Sequence, residues 1–262
     1  MPNEKLLSIA VVHLSSGPTS SGTRTIPFAN YFTNNNHNVL FLINKCAEDT
    51  FIRLLGNLKN KVNLMIFPLS DSSPGYKFGM GIEQIKRIFF SLFVDLDRDV
   101  NIIYSLTGLI CDVFPSYILK IKNKNRSWVA NIDNIESEPG VKPGAYLINL
   151  YSYIAFRISL LLLRHADAII TTTPLSEVVE TLVRSGIKKE KIYISRNGIP
   201  IRLINKIKSL NKIYGASFLG RIHQGKGIFD LIKAWKIISD RLPGIGKLLI
   251  IGFGDVETER RF

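Results

Sequence analysis

Short apolar runs alternate with helix-forming stretches along almost the whole chain. Most runs are continuously apolar, which is typical of parallel strands that helices cover on both faces. The strands that we predict from them are Leu7–Leu14, Val39–Ile43, Val62–Phe67, Asn101–Leu106, Trp128–Asn131, Ala168–Thr172, Lys191–Ser195, Ala216–Leu219 and Lys247–Ile251. The alternation predicts a doubly wound α/β fold.

Helical stretches fall between most of these strands. We predict helices at Pro27–Thr33, Ala47–Leu58, Gly81–Leu96, Leu109–Ile121, Ala145–Arg164, Leu175–Ser185 and Gly227–Arg241. After the turn-forming pair Asn197-Gly198, the chain becomes basic and irregular up to Gly215. We therefore predict a Rossmann-like domain over residues 1–198, a linker over 199–215 and the first part of a second such domain over 216–262.

Charge narrows the classes of partner. The net charge of +13 indicates an anionic partner, and a merely solubilising surface charge is the plainer alternative. Nucleic acid is disfavoured because the sequence has no helix-turn-helix, zinc or RNP pattern. The two cysteines form no CxxC motif, which favours a reducing compartment, and we expect a cytoplasmic protein.

Two segments bear on membranes. Tyr146–Leu163 is the most lipid-like stretch, but Asn149 and Arg157 interrupt it, so we predict a buried or interfacial helix and no transmembrane span. The helix at Gly81–Phe93 has basic and aromatic faces, as helices that lie on a membrane have. The alternative is an internal helix of an α/β domain.

The loop Gly220-Arg-Ile-His-Gln-Gly-Lys-Gly227 joins an apolar strand to an amphipathic helix. Its cations, Arg221 and Lys226, oppose the helix dipole unless an anion binds between them and the first N–H groups of the helix. The loop therefore predicts a phosphate or diphosphate site, with two plain exposed cations as the alternative. A P-loop NTPase is disfavoured because Gly227 stands where that motif needs a hydroxyl for magnesium.

The order of motifs around this loop resembles that of the retaining glycosyltransferases of family 4. Asn197-Gly198, the basic loop, Leu-Ile-x-Ala-Trp, Leu-Pro and Ile-Gly-x-Gly-Asp255 follow one another as in that family. The stretches Ala166–Thr173 and Gly186–Gly198, and the glycine-rich Ser15–Gly22, are also similar to family motifs. The resemblance implies the GT-B architecture, in which two Rossmann-like domains face each other.

The resemblance also implies roles for particular residues. Arg221 and Lys226 would bind the diphosphate of a nucleotide-sugar donor without a metal or other cofactor, because two cations can neutralise the leaving group. Gly22 and Thr23 would offer backbone N–H groups to the phosphates or the acceptor, although a plain loop glycine is as good an interpretation. The remaining backbone and loop contacts would come from Asn197, Gly198, Gly220, Gly225, Gly227, Gly252 and Gly254.

The chain departs from the family pattern in two places. Asp133 is the candidate for the catalytic residue near the reacting sugar, where relatives have histidine or aspartate; capping of the next turn is the alternative. No glutamate is followed by another eight positions later, so the acidic E-x(7)-E motif is not present in the sequence. We therefore expect a C-terminally truncated enzyme with impaired transfer.

The function predicted on this basis is sugar transfer, with retention, from a nucleotide diphosphate to a glycan or lipid-linked acceptor. Peripheral contact with the inner face of a membrane is compatible with it. The alternative is a non-enzymatic basic α/β module that binds an anionic membrane surface or a partner subunit.

Overall fold

The computed structural model describes residues 6–15, 20–68, 79–141, 146–172, 176–196, 201, 205–206, 211 and 213–254, without the side chains of 20–24, 79–81 and 176. The chain divides into two compact units, Met1–Gly198 and Ile199–Phe262. The linker over 199–215 stays a prediction.

The first unit is a seven-stranded parallel sheet in the order β3-β2-β1-β4-β5-β6-β7. Its strands are β1 Ser8–His13, β2 Asn38–Asn44, β3 Asn63–Phe67, β4 Ile102–Ser105, β5 Ser127–Asn131, β6 Ala168–Thr171 and β7 Ile192–Ile194. Its described helices are α1 Ser20–Asn34, α2 Glu48–Leu55, α3 Gly79–Ser91, α4 Ile110–Lys122, α5 Tyr146–Leu163 and α6 Ser176–Arg184. The predicted doubly wound α/β fold is confirmed.

The core lies on both faces of this sheet. Ile9 and Val11 of β1 belong to a cluster that includes side chains of α1 and α2, whereas Ala10 and Val12 belong to one that includes side chains of α4, α5 and α6. Successive residues of a strand point to opposite faces, so a strand covered on both sides must be apolar throughout. This explains why the first runs of the sequence are continuous.

Helix α1 begins earlier than the sequence predicts. Pro27 resembles a helix start because its ring suits the first helical position, yet it lies inside a helix that starts at Ser20. The prediction of this boundary is wrong by seven residues. Gly22 and Thr23, expected in a loop, belong to the first turn of α1.

The second unit contains two parallel strands, β8 Tyr214–Leu219 and β9 Lys247–Ile251, and the helix α7 Ile228–Arg241 between them. Of its described residues, Ile228 alone is buried. Leu219 and Phe253 are 81% and 73% exposed. Two strands and one helix thus enclose little apolar surface.

Helix α5 is the one described helix that is long and apolar enough to cross a membrane, judged by length and composition. It packs against α4, and Phe156, Leu160 and Leu163 are buried in the core of the first unit. The larger part of its surface, however, remains accessible, because 22% of the 18-residue window is buried.

Candidate functional site

The basic loop lies between the end of β8 and the start of α7. A single 3-10 turn, Gln224–Lys226, lies in its second half, and Gly227 then takes a left-handed conformation with φ of 70° before the helix begins. Arg221 precedes the turn and Lys226 ends it. The cations therefore flank a tight turn just before the helix.

His223 shapes this turn. Its ring nitrogen Nδ1 accepts a hydrogen bond from the backbone N–H of Gly225 at 3.1 Å. Because the ring is occupied in holding the loop, its observed role is structural. This hydrogen bond holds the turn from within the loop.

The side chains of Arg221 and Lys226 are both exposed and make no hydrogen bond or ion pair with any other residue in the described part of the chain. Most surface cations form hydrogen bonds to water. Two unpaired cations beside the N-terminus of one helix, however, create a region of positive potential. The loop can therefore accept an anion without breaking an existing ion pair.

The glycines of this region differ in whether, and why, the structure requires a residue without a side chain at their positions. A Cβ on Gly252 would lie 1.9 Å from the carbonyl oxygen of Gly220, so the two strand ends touch only because residue 252 has no side chain. Gly227 needs its positive φ and has open space around it. Gly220 and Gly225 would bring a Cβ only near Phe218 and the ring of His223. Gly254 forms a parallel bridge with Ile222.

In the first unit, the strand order reverses between β1 and β4. Ligands of open parallel sheets bind at such a switch point, outside the carboxyl ends of the strands. The residues that follow β1 and β4 form a buried polar cluster there, centred on the carboxylate of Asp112 in the first turn of α4.

Asp112 accepts three hydrogen bonds at this point. Its Oδ1 accepts from the backbone N–H groups of Leu14 at 2.7 Å and Ser15 at 3.1 Å, and its Oδ2 accepts from Oγ1 of Thr107 at 2.6 Å. Nδ1 of His13 lies 3.0 Å from Oγ of Ser15 and 3.9 Å from the carboxylate. The carboxylate thereby ties the end of β1 to the loop after β4.

The carbonyl oxygen of Leu14 closes the cluster. It accepts from Nη1 of Arg87, on α3, at 3.1 Å and from the side-chain amide of Asn44, the last residue of β2. Nε2 of His13 is buried and has no hydrogen-bond partner among the described atoms. Side chains from three strand ends and two helices thus meet at the switch point.

Asp133 lies at the carboxyl end of β5, further along the same edge. Its two oxygens accept from Nδ2 of Asn131 at 3.0 Å and from Oγ1 of Thr172 at 2.9 Å. The carboxylate is half-buried and links the ends of β5 and β6. In the structure, the Asp133 carboxylate therefore bridges two neighbouring strand ends through hydrogen bonds.

The other predicted residues are placed only in part. Gly22 and Thr23 lie in the first turn of α1, the helix that follows β1, where backbone N–H groups lack partners within the helix. Asn197 and Gly198 lie outside the described residues.

Sequence reasoning missed His13, Asp112 and Arg87. His13 is the last residue of β1 and is fully buried. The available signals were a histidine ending an apolar strand and an aspartate in the first turn of a predicted helix. The second is common to ordinary helix starts, so it did not single out Asp112.

The described residues hold no candidate metal site, and the buried thiol of Cys111 is not a candidate nucleophile. No group of three His, Cys, Asp or Glu side chains there could hold a metal ion. Burial, followed by the charge of Asp112, raises the pKa of the Cys111 thiol well above its usual range. Cys111 therefore stays protonated and unreactive; independence from metals stays a prediction.

No family model matches the chain, and no curated protein sequence matches it. Solved structures match its fold. A UDP-N-acetylglucosamine 2-epimerase matches at 10% identity with a TM-score of 0.58, over 93% of this chain and 63% of its own. A glycosyltransferase from Rickettsia africae ESF-5 matches at 13% identity with a TM-score of 0.53, over 98% of this chain and 70% of its own. UGT89C1 of Arabidopsis thaliana, crystallised with UDP-L-rhamnose, matches at 10% identity with a TM-score of 0.57, over 94% of this chain and 69% of its own.

At these identities the likeness concerns the fold alone. The chain spans less than two thirds of the epimerase. It nevertheless aligns over nearly its whole length, through both of its units. The chain therefore has a GT-B-like α/β fold, and its first unit is a Rossmann-like domain.

Proposed function

We propose that this chain binds the diphosphate of a nucleotide sugar at its basic loop and belongs to an enzyme that transfers the sugar, with retention, to a glycan or lipid-linked acceptor. The observation that carries the proposal is the pair of exposed, unpaired cations, Arg221 and Lys226, on either side of a preformed turn. Departure of a nucleoside diphosphate builds negative charge, which two fixed cations stabilise without a metal.

The fold comparison supports the choice of ligand. One of the matching structures holds UDP-L-rhamnose, a sugar joined to a nucleoside diphosphate. The chain spans about two thirds of that protein, and its 262 residues contain no E-x(7)-E pair. We therefore assign transfer to the whole protein and expect weak or no turnover from these 262 residues alone.

The first unit would hold the acceptor. A cavity of about 530 Å³ lies between the loop after β5 and the helices α5 and α6. Its lining combines an aromatic ring, Tyr153, with charged groups such as Glu177, Arg157 and Arg184. Such a mixture suits an acceptor rich in hydroxyl groups, which needs both donors and acceptors of hydrogen bonds. We place this chemistry in the cytoplasm, at the inner face of a membrane.

Calorimetric titration with UDP in metal-free buffer tests the donor site. We expect Arg221→Ala and Lys226→Ala each to weaken binding by roughly tenfold or more, since hydrogen bonds to charged groups contribute about 1.5–3 kcal/mol. Lys233→Ala is the matched control, because it removes an exposed cation from α7, the helix that follows the loop.

Unchanged affinity in Arg221→Ala and Lys226→Ala would refute the diphosphate role. Failure of the unaltered chain to bind UDP at millimolar concentration would favour the non-enzymatic alternative. Normal sugar transfer by the 262 residues alone would contradict the expectation of impaired turnover.

A further inference from the structure

Helix α3 has its polar and apolar faces reversed. Glu83, Arg87 and Ser91 recur every four residues and are at most 5% exposed. Ile85 and Phe89, with the same spacing, and Phe93, in the turn after the helix, point to solvent and are 60%, 60% and 72% exposed. A surface helix of a water-soluble domain normally shows the opposite arrangement. An apolar outer face therefore needs an apolar environment that the first unit does not supply.

The inner face of α3 has a clear structural task. Arg87 reaches the carbonyl oxygen of Leu14 in the buried cluster at the switch point, and Glu83 pairs with Lys86 at 3.0 Å. These contacts fix the rotation of the helix about its axis. The outward direction of Phe89 and Phe93 is consequently enforced by the polar side, and their rings pack edge to face with centroids 5.4 Å apart.

Helix α5 carries a second exposed apolar stripe. The hydroxyl of Tyr151 on α5 donates to Oε1 of Gln84 on α3 at 2.9 Å, which links the two helices at one point, while α4 packs against both. On α5, Ile154, Ile158 and Leu161 are exposed at helical spacing. Exposed apolar side chains grouped along helix faces mark membrane or protein contacts, whereas scattered apolar residues do not.

The exposed charges of these helices are positive. Lys86 and Arg157 are the charged side chains exposed along α3 and α5, and the acidic Glu83 is buried. Lys122 adds a third cation beside Phe93, because its ammonium group donates to the carbonyl oxygens of Leu92 and Val94. Aromatic and aliphatic side chains bordered by lysine and arginine are typical of helices that lie in the interface of an anionic bilayer.

We propose that the apolar surface formed by Ile85, Phe89 and Phe93 of the α3 segment and by Ile154, Ile158 and Leu161 of α5 docks on an anionic lipid bilayer. A second copy of the chain fits less well, because a two-fold contact would bring a surface bordered by the cations Lys122 and Arg157 against the same surface of the other copy. A bilayer with anionic headgroups pairs with these cations and with the net charge of +13. The proposal does not depend on the proposed transfer reaction.

Flotation with lipid vesicles on a density gradient tests this docking surface. The full chain is mixed with vesicles of phosphatidylcholine alone or with a quarter of phosphatidylglycerol. We expect flotation with the anionic vesicles, and a loss of partitioning of about tenfold for each of Phe89→Ser and Phe93→Ser. Arg157→Gln should lower partitioning by about fivefold, and only with the anionic vesicles.

Phe253→Ser is the matched control, because Phe253 is as exposed as Phe93 but lies in the other unit. Far-ultraviolet circular dichroism verifies that each variant folds. We expect all of them to fold, because substitutions at exposed positions usually change stability little. Equal losses in Phe93→Ser and Phe253→Ser, or no flotation of the unaltered chain, would overturn the proposal. So would light scattering that finds a dimer which Phe93→Ser dissociates, since the surface would then bind a second copy.

Discussion

The two units of this chain use the same motif, a strand–helix–strand connection with parallel strands, and differ in how many times they use it. In the first unit seven strands carry helices on both faces, and β1 is buried almost without exception. In the second, two strands and α7 leave every described residue except Ile228 at least partly exposed. One motif defines a loop geometry, whereas burial requires several motifs packed in layers.

The difference separates shape from stability. The basic loop is formed by bonds within itself and by its two strand ends, so its geometry requires few neighbours. Hydrophobic stabilisation grows with the apolar area removed from water, and the second unit removes little. We therefore expect the first unit to dominate the free energy of unfolding.

The two tryptophans offer the strongest test, because each unit has one. Trp128 in β5 is fully buried and its indole N–H donates to Oγ of Ser105 at 3.1 Å, while Trp235 in α7 is half-buried. Trp128→Ala should lower the free energy of unfolding by about 3–5 kcal/mol, because it leaves a large cavity. Trp235→Ala should leave the main transition within about 0.5 kcal/mol.

Urea denaturation followed by circular dichroism measures both variants. Equal shifts of the main transition would show that the two units unfold together, and the comparison between them would then fail. A separate transition at lower urea concentration that only Trp235→Ala shifts would show that the second unit unfolds independently of the first.

A second test perturbs only the second unit. Gly252→Ala would place a Cβ against the carbonyl oxygen of Gly220, so the strand ends must part, and we expect this unit to lose about 2 kcal/mol. Gly225→Ala is the control, since its Cβ meets only the ring of His223 at 3.2 Å.

The measurement is the fluorescence of Trp235 during urea denaturation, in a Trp128→Phe background that leaves one tryptophan. We expect Gly252→Ala to move this signal to lower urea and Gly225→Ala to change it little. Similar shifts in both would mean that the contact between the strand ends does not hold the loop.

The sequence predicted the fold well because its signals are local. A strand buried on both faces must be apolar, so nine strands were found within two residues of their observed ends. The basic loop was found for the same reason, since its cations and glycines lie within eight residues. The start of α1 was predicted wrongly because a proline is typical of the first turn of a helix, whereas Pro27 lies inside this one.

The switch-point cluster was missed because its parts are distant in sequence. The hydrogen bond between Leu14 and Asp112 joins residues 98 positions apart. Each part by itself resembles ordinary structure: a strand end, a helix start and a loop threonine. Only the strand order, with β1 beside β4, makes these residues neighbours, and no single-residue pattern encodes that order.

The smallest expected effect concerns Asp167, just before β6. Burial alone would raise the pKa of this carboxyl, but hydrogen bonds from Lys120 at 2.8 Å and from the N–H of Trp128 at 2.7 Å outweigh it and lower the pKa. A carboxyl with a lowered pKa stabilises the folded state above its ordinary value of about 3.9, and this contribution is lost as the pH falls through the folded value. Because the side chain is about half exposed, Asp167→Asn should cost roughly 1 kcal/mol at pH 7, and less as the pH falls below the ordinary pKa of the carboxyl.

Urea denaturation of Asp167→Asn between pH 7 and pH 2.5 measures this dependence, with Asp240→Asn of α7 as the exposed control from the other unit. The cost of Asp167→Asn should shrink as the pH falls, because the native carboxylate becomes protonated and loses its advantage over the amide. A cost that stays constant down to pH 2.5 would mean that the side chain acts by shape and not by charge. A comparable cost for Asp240→Asn in the main transition would contradict the assignment of that transition to the first unit.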